Sequence, residues 1–437
     1  MACAQAAAKV AASASTTSAT TSASRDGLAE LIAPAGPACA RRPPMVETSV
    51  LVMLTASLAA SRSPGRGSLA EISGFGVLPD GPLKRPEDTI LGTANGISGK
   101  GAGAMGLRAS VAIDLGTVNT LVSVAGRGLV IEEPSAIALD RATGRVTAVG
   151  TAADALAGKE PQYIEVIHPL RDGVIAELDA SVAMLQAFLR RARLHRSPLR
   201  SSVVVCVPSG ATGVERRSLA AAVEALRLHS VVRLIDEPVA AAAGAGFDLA
   251  DGSGGFIVDV GGGTTEAALL AGRHVVRVQS LRVAGNAMDE TIVQAVRAEY
   301  GLLLGRNGAR SLKMAVGVAA DAAGWVEAVG VDAARRTPCA QQVPGWLVAQ
   351  ALEHPVATIV GSVQEILSDI PPNLAEDVVR GKIRLAGGGA LLPGLADRIE
   401  AATGIPVLVV DDPLRCVVRG AAEILERGDG LEGTRPD

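Results

Sequence analysis

The chain has 437 residues, with 41 Lys and Arg against 45 Asp and Glu and a formal net charge of −4. That near-neutral balance, with an aromatic content of 2%, excludes a nucleic-acid surface built from basic patches and stacked rings. The length suffices for two domains with a sizeable core, and no run approaches the ~20 apolar residues that span a bilayer.

Residues 1–104 differ from the rest. The first 24 positions are nearly all Ala, Ser and Thr; Gly, Pro and Arg then dominate, as in Ser61-Arg62-Ser63-Pro64-Gly65-Arg66-Gly67. Such a segment buries too little apolar surface to offset its ordering entropy, which predicts a disordered extension. The run Ser49-Val50-Leu51-Val52-Met53-Leu54 behind Arg41-Arg42 looks like a signal-peptide core but lies too deep in the chain to act as one. Met105-Gly106-Leu107-Arg108 leads directly into the first strand, marking Met105 as a candidate physiological start.

From residue 109 short apolar runs alternate with glycine turns. Strands are expected at 111–114 and 121–125, with Gly126-Arg127-Gly128 turning into a return strand at 129–132. A second pair covers 135–139 and 146–150. Residues 181–193 have helical spacing, with Val182, Leu185, Phe188 and Leu189 on one face. Residues 203–207 read as a buried central strand, 215–226 as a helix, 231–235 as a strand, and 238–245 as a helix with Pro in its first turn. The second half repeats the plan. Strands at 256–259, 264–270 and 275–281 precede a helix at 286–300, and a long helix covers 346–367. A strand at 383–386, a helix at 393–403, a strand at 407–410 and a closing helix at 414–425 complete it. Three strands, then helix, strand and helix, twice over, predict two related α/β lobes around a cleft.

Two turns stand at matching points of the halves. Ala112-Ile113-Asp114-Leu115-Gly116-Thr117-Val118-Asn119-Thr120 and Ile257-Val258-Asp259-Val260-Gly261-Gly262-Gly263-Thr264-Thr265 each deliver an Asp from a β-branched strand into a glycine turn. Such glycines let backbone N–H groups converge on an anion. Facing each other, the turns would grip a nucleotide triphosphate from both sides, with one aspartate per side for Mg²⁺. The five cysteines, Cys3, Cys39, Cys206, Cys339 and Cys416, are scattered and show no C-x-x-C pair. They read as free thiols in a reducing cytosol.

Asp114-Leu115-Gly116-Thr117 and Asp259-Val260-Gly261-Gly262-Gly263-Thr264 resemble the phosphate turns shared by actin, the seventy-kilodalton heat-shock chaperones and sugar kinases. Further segments are similar to the MreB/Mbl family of bacterial actin homologues. They are Thr117-Val118-Asn119-Thr120, Ile167-His168-Pro169-Leu170-Arg171-Asp172-Gly173-Val174-Ile175 and Cys206-Val207-Pro208-Ser209-Gly210. Gly261-Gly262-Gly263-Thr264-Thr265-Glu266, Arg282-Val283-Ala284-Gly285 with Met288-Asp289-Glu290, and Gly387-Gly388-Gly389-Ala390-Leu391-Leu392 follow. The resemblance runs from about residue 110 to about 426, with a divergent stretch near 316–343.

It implies an actin-like ATPase fold of two related ribonuclease-H-like lobes around a nucleotide cleft. Lobe I would cover 105–250 and lobe II 251–428, with the closing helix 414–426 returning to lobe I and a flexible tail at 429–437. Gly116, Thr117, Val118 and Asn119 would bind phosphates opposite Gly262, Gly263 and Thr264, while Asp114 and Asp259 hold Mg²⁺, largely through water. Glu237, in Asp236-Glu237-Pro238, would orient the attacking water with the Thr264 hydroxyl; read from residues alone, an acid starting a helix serves its dipole equally well. Gly388, Gly389, Ala390 and Leu391 would underlie the nucleoside, and Arg310, Ser311, Leu312 and Lys313 would meet ribose and base. The family usually has Glu where Arg310 stands and tends to have acids at Asn286 and Ala287. ATP is the implied cofactor with Mg²⁺, and the residues leave ATP against GTP open. The implied role is a slow ATPase whose self-assembled filaments lie in the cytoplasm beneath the inner membrane face. There they would organise the cell-wall elongation machinery and rod shape, with no nucleic-acid partner. Arg190, Arg191, Arg193, His195, Arg196 and Arg200 around Ser197-Pro198-Leu199 suit anionic lipid or, equally, a solvated helix end. A degenerate, nucleotide-binding scaffold and a small-molecule kinase of the same superfamily are the alternatives.

Overall fold

In the computed structural model, which describes residues 110–194, 202–226, 231–319 and 324–427, the chain passes twice through one plan. The N-terminal extension, Met105, the 197–199 loop and the terminal tail lie outside the described residues. All described residues fall in one unit, Phe75–Asp437.

The first pass runs β1 (Val111–Leu115), β2 (Asn119–Val124), β3 (Gly128–Pro134), β4 (Ile137–Asp140), β5 (Val146–Val149), α1 (Thr151–Asp154), β6 (Ile164–Ile167), β7 (Leu170–Arg171), β8 (Val174–Ile175), α2 (Leu178–Arg191), β9 (Ser202–Val207), α3 (Gly213–Glu224), β10 (Val231–Asp236) and α4 (Glu237–Gly244). The second runs β11 (Gly254–Val260), β12 (Thr265–Ala271), β13 (His274–Leu281), α5 (Gly285–Tyr300), β14 (Leu302–Leu304), α6 (Arg306–Val316), β15 (Trp325–Asp332), β16 (Pro338–Pro344), α7 (Gly345–Ser368), α8 (Pro372–Gly381), β17 (Ile383–Ala386), α9 (Leu395–Thr403), β18 (Val407–Val409) and α10 (Cys416–Arg427).

The main sheets have one topology: β3-β2-β1-β9-β10 in lobe I and β13-β12-β11-β17-β18 in lobe II. β1 is antiparallel to β2 and parallel to β9; β11 is antiparallel to β12 and parallel to β17. Both central strands are apolar up to their aspartates because helices cover both sheet faces. The small sheets β5-β4-β6 and β14-β15-β16 are appended to the lobes.

Each lobe has its own core, around Ile113, Met184, Phe188 and Val205 in one and Phe256, Leu269, Met288 and Leu352 in the other. Between them Ala112, Cys206, Ala240, Ala241, Ile257, Ala268 and Cys416 form a third cluster. There α4 and α10 cross almost backbone to backbone. A Cβ on Gly420 would strike the Ala240 carbonyl, and one on Gly244 the Cys416 carbonyl. Ala240, Ala241, Ala242 and Ala421 line this small-residue contact. α10 also lies on β1 and β9, while α4 lies on β11 and β12.

The element edges differ from the sequence reading where local chemistry decides. The helix expected from 393 starts at Leu395, because Gly394 takes a left-handed φ of 84° as its cap. The closing helix starts at Cys416, after Pro413 opens a 3₁₀ turn over Pro413–Arg415. The divergent 316–343 stretch holds the β15–β16 hairpin, which the sequence reading left unassigned.

Candidate functional site

Each aspartate of the pair stands near the end of the first strand of its lobe. Asp114 is the fourth residue of β1 and Asp259 the sixth of β11. The turn after each strand closes with the same hydrogen bond: Gly116 N–H to the Asn119 carbonyl (3.1 Å) and Gly261 N–H to the Thr264 carbonyl (2.9 Å). The turn carbonyls are drawn away from the cleft. Gly116 O accepts from the Ser135 hydroxyl (2.6 Å) and Val118 O from Ser135 N–H (2.8 Å); Gly261 O and Gly262 O accept from the Gly285 (3.2 Å) and Asn286 (2.8 Å) amides at the start of α5. The amides of Thr117, Val118, Gly262 and Gly263 meet no acceptor among the described residues. Two glycine turns with idle amides form an anion cradle.

The turns oppose each other at contact distance. A Cβ on Gly262 would collide with the Val118 side chain, and one on Gly263 with Thr117 Oγ1. Thr117 Oγ1 also accepts the Gly173 amide (2.8 Å), and Gly173 lies under Thr264 and Pro208 with φ +78°. Between the lobes is a cavity of about 230 Å³, lined by Asp114, Gly116 to Asn119, Glu237, Asp259, Gly261 to Thr264, Asn286, Arg310, Lys313, Gly387 to Gly389 and Leu391. Met288, Met314, Leu392, Leu414 and Val417 add an apolar wall suited to a flat ring.

The cavity floor is acidic. Burial raises the Asp114 carboxyl from 3.8 to about 7, helped by the Asp259 charge, and burial raises Asp259 to about 6. Burial, then the charges of Glu266, Asp114, Asp259 and Asp236, holds Glu237 well above the usual carboxylate range. Like charges gathered in an enclosed site call for a cation. Among the described residues no three His, Cys, Asp or Glu side chains cluster as metal ligands. The Asp114 and Asp259 carboxylates at the cavity fit an ion that takes one or two carboxylates and completes its shell with water and phosphate oxygens, which is the habit of Mg²⁺.

The structure thus brings together Asp114, Asp259, Glu237, Thr264, Gly116, Thr117, Val118, Asn119, Gly262, Gly263, Arg310, Lys313, Gly388, Gly389 and Leu391. Three expected residues fall outside the lining. α6 turns Arg310, Lys313 and Met314 toward the cavity at helical spacing. Leu312 therefore enters the lobe II core at 1% exposure, and Ser311 turns away to bond the Asn307 carbonyl (2.9 Å). The Ala390 methyl likewise joins the lobe II core. Lys313 is itself engaged: its Nζ lies 2.8 Å from Asp289 Oδ1 and donates to the Gly285 carbonyl (2.8 Å). Burial lowers Lys313 and raises Asp289.

The sequence reading assigned no role to Asp289, Gly173, Gly387 or the apolar wall. Gly387 carried a signal as the first glycine of Gly387-Gly388-Gly389, and in the structure its φ of +77° and contact with Asp259 Oδ1 exclude any Cβ. Of the basic cluster, Arg191 pairs with Glu133 (2.5 Å) and Arg190 bonds Gln186 (3.4 Å). His195, Arg196, Ser197, Pro198, Leu199 and Arg200 lie outside the described residues.

With this geometry in place, comparison with known proteins is direct. The MreB/Mbl protein family model matches residues 108–432. The cell shape-determining protein MreB of Escherichia coli (strain K12) is 41% identical over 327 residues, covering 73% of this chain and 94% of that protein. Cell shape-determining protein Mbl of Bacillus subtilis (strain 168) is 36% identical over 323 residues, covering 74% and 97%. The crystal structure of MreB5 of Spiroplasma citri bound to AMPPNP superposes with a TM-score of 0.68 at 30% identity, covering 74% of this chain and 97% of that one.

Proposed function

The chain belongs to the MreB/Mbl family and has its actin-like fold, and from that premise we propose that it is a nucleotide-dependent cytoskeletal protein that sets cell shape. The observation that carries this reading is the pair of opposed glycine turns with idle amides above the buried Asp259 and the half-buried Asp114. ATP is the proposed nucleotide; Asp114 and Asp259 would hold Mg²⁺, which would supply positive charge against the phosphates. The amides of Thr117, Val118, Gly262 and Gly263 orient the terminal phosphates. Glu237 and Thr264 hold the attacking water in line; positioning, rather than base strength, is the main contribution to phosphoryl transfer. Hydrolysis is slow and times the polymer.

Copies join head to tail through an open, heterologous interface. The filaments lie in the cytoplasm at the inner membrane face and organise the cell-wall elongation machinery. No helix among the described residues is long and apolar enough to cross a membrane, and the attachment proposed is peripheral. The basic residues around 190–200 are the proposed contact, reduced by the Arg191–Glu133 pair.

Sedimentation and phosphate release with ATP, ADP or no nucleotide test the reading. ATP yields sedimentable polymer in the wild type, and Asp259→Ala yields none; normal polymer from that variant overturns the site. Glu237→Ala retains ATP binding and slows phosphate release by on the order of a hundredfold. Unchanged release removes Glu237 from its role.

A second reading is a nucleotide-binding scaffold that does not polymerise. It is favoured by Arg310 and Asn286 in the cavity lining and by the engagement of Lys313 with Asp289. Under it, ATP binds and nothing sediments.

A further inference from the structure

Glu266 and the Pro208-Ser209-Gly210 turn have no part in nucleotide binding as argued so far. Glu266 stands on β12, directly across the strand pair from Asp259, and is 1% exposed. Its Oε1 reaches across to lobe I and accepts the Ser209 amide (2.8 Å). Its Oε2 is buried without a hydrogen bond, and so is Ser209 Oγ. The Ser280 hydroxyl and the Gly210 amide face the same carboxylate. The turn is pressed hard on lobe II, since a Cβ on Gly210 would come within 2.8 Å of the Ser280 Cβ. Among the charges acting on Glu237, that of Glu266 is the foremost.

Two buried polar atoms without partners, on residues joined to each other by a hydrogen bond, are a usual setting for an ordered water. Here Ser209 follows the end of β9, where Val207 pairs with Asp236 next to the carboxylate assigned to the attacking water, and Glu266 reaches it from the other lobe. We propose that Glu266 is a positioning residue of the hydrolytic site. From lobe II it grips the Ser209 turn of lobe I and, with the Ser209 hydroxyl, holds a water beside Glu237. The water-handling end of the site is then complete only while the lobes are closed. This rests on the hydrolytic reading of Glu237, but the grip itself does not.

Amide hydrogen exchange, AMPPNP affinity and phosphate release from ATP are compared in the full chain and in Glu266→Ala, Glu266→Gln and Ser209→Ala. Glu266→Ala speeds exchange at the Ser209 and Gly210 amides by about fivefold or more, the loss of one hydrogen bond. It slows phosphate release by about tenfold or more. AMPPNP affinity stays within about threefold, because the residue does not touch the nucleotide. Glu266→Gln keeps the oxygen that accepts the amide, so it keeps the protection and loses turnover. Ser209→Ala does the same. Unchanged exchange in Glu266→Ala overturns the grip. Unchanged phosphate release in both Glu266→Gln and Ser209→Ala overturns the water-holding role, and these milder variants decide it if Glu266→Ala does not fold. A wild-type chain that binds AMPPNP yet releases no phosphate sinks the hydrolytic reading and the water-holding role with it, while exchange still judges the grip.

Discussion

Asp114 and Asp259 illustrate a residue-scale conflict between stability and function. Each is a carboxylate held where burial favours its neutral form. In the unfolded chain an Asp titrates near 3.8; folded, Asp259 titrates near 6. Between those values the folded state binds more protons than the unfolded, so stability falls as pH rises through that window and then levels off. For Asp259 the shift from 3.8 to about 6 corresponds to on the order of 3 kcal/mol. Chemical unfolding of the ligand-free chain should therefore show stability declining from pH 4 to pH 7. Asp259→Asn should flatten that decline and raise stability at pH 7 while losing Mg²⁺-dependent nucleotide binding. A variant with the wild-type pH profile would mean that Asp259 is not held in this way. On α6, chain spacing limits inference: Ser311 and Leu312 lie beside Arg310 and Lys313 in the chain but turn to other faces of the helix.

At the scale of elements, the decisive contact is the crossing of α4 and α10. α4 begins with Glu237 at the cavity, and both arginines at its far end come from elsewhere. Arg419 donates to the Gly244 carbonyl, and Arg384 donates to the Ala245 carbonyl while stacking 4.1 Å from the Phe247 ring centre. These cations satisfy the last carbonyls and the negative end of the helix. The crossing needs glycine at 244 and 420 for close approach rather than for unusual torsion, as neither is in the left-handed region. Gly420→Val forces the helices apart and should cost about 3 kcal/mol or more, beyond an ordinary overpacking change. Its urea midpoint should fall well below wild type. An unchanged midpoint would show that the pair tolerates a wider spacing.

For the whole molecule, magnitudes indicate what sets lobe closure. The cross-lobe ion pair Arg282–Glu215 (3.3 Å) lies at the surface with its arginine exposed, and such a pair contributes roughly 0–1 kcal/mol. A ligand held by both lobes at about a hundred times its Kd contributes about 2.7 kcal/mol by mass action. Nucleotide should therefore dominate the closed state. Thermal unfolding at that concentration of AMPPNP and Mg²⁺ should shift upward, with a smaller shift in Asp259→Ala. No shift in the wild type would count against a nucleotide between the lobes.

The duplicated plan, the strand-borne aspartates and the glycine turns were legible in the sequence because they are local. Strand periodicity, a β-branched run and an Asp-apolar-Gly turn each need only neighbouring residues to declare themselves. The β15–β16 hairpin was not legible, and neither were the exits of Leu312 and Ala390 into the core. Nor were the Asp289 grip on Lys313 and the contact of Glu266 with Ser209, 57 residues apart in the chain. Those depend on which face a helix turns inward and which strand lies across a sheet. Only the closed tertiary structure decides them, because burial and cross-lobe contact arise from packing between segments whose own sequences carry no record of each other.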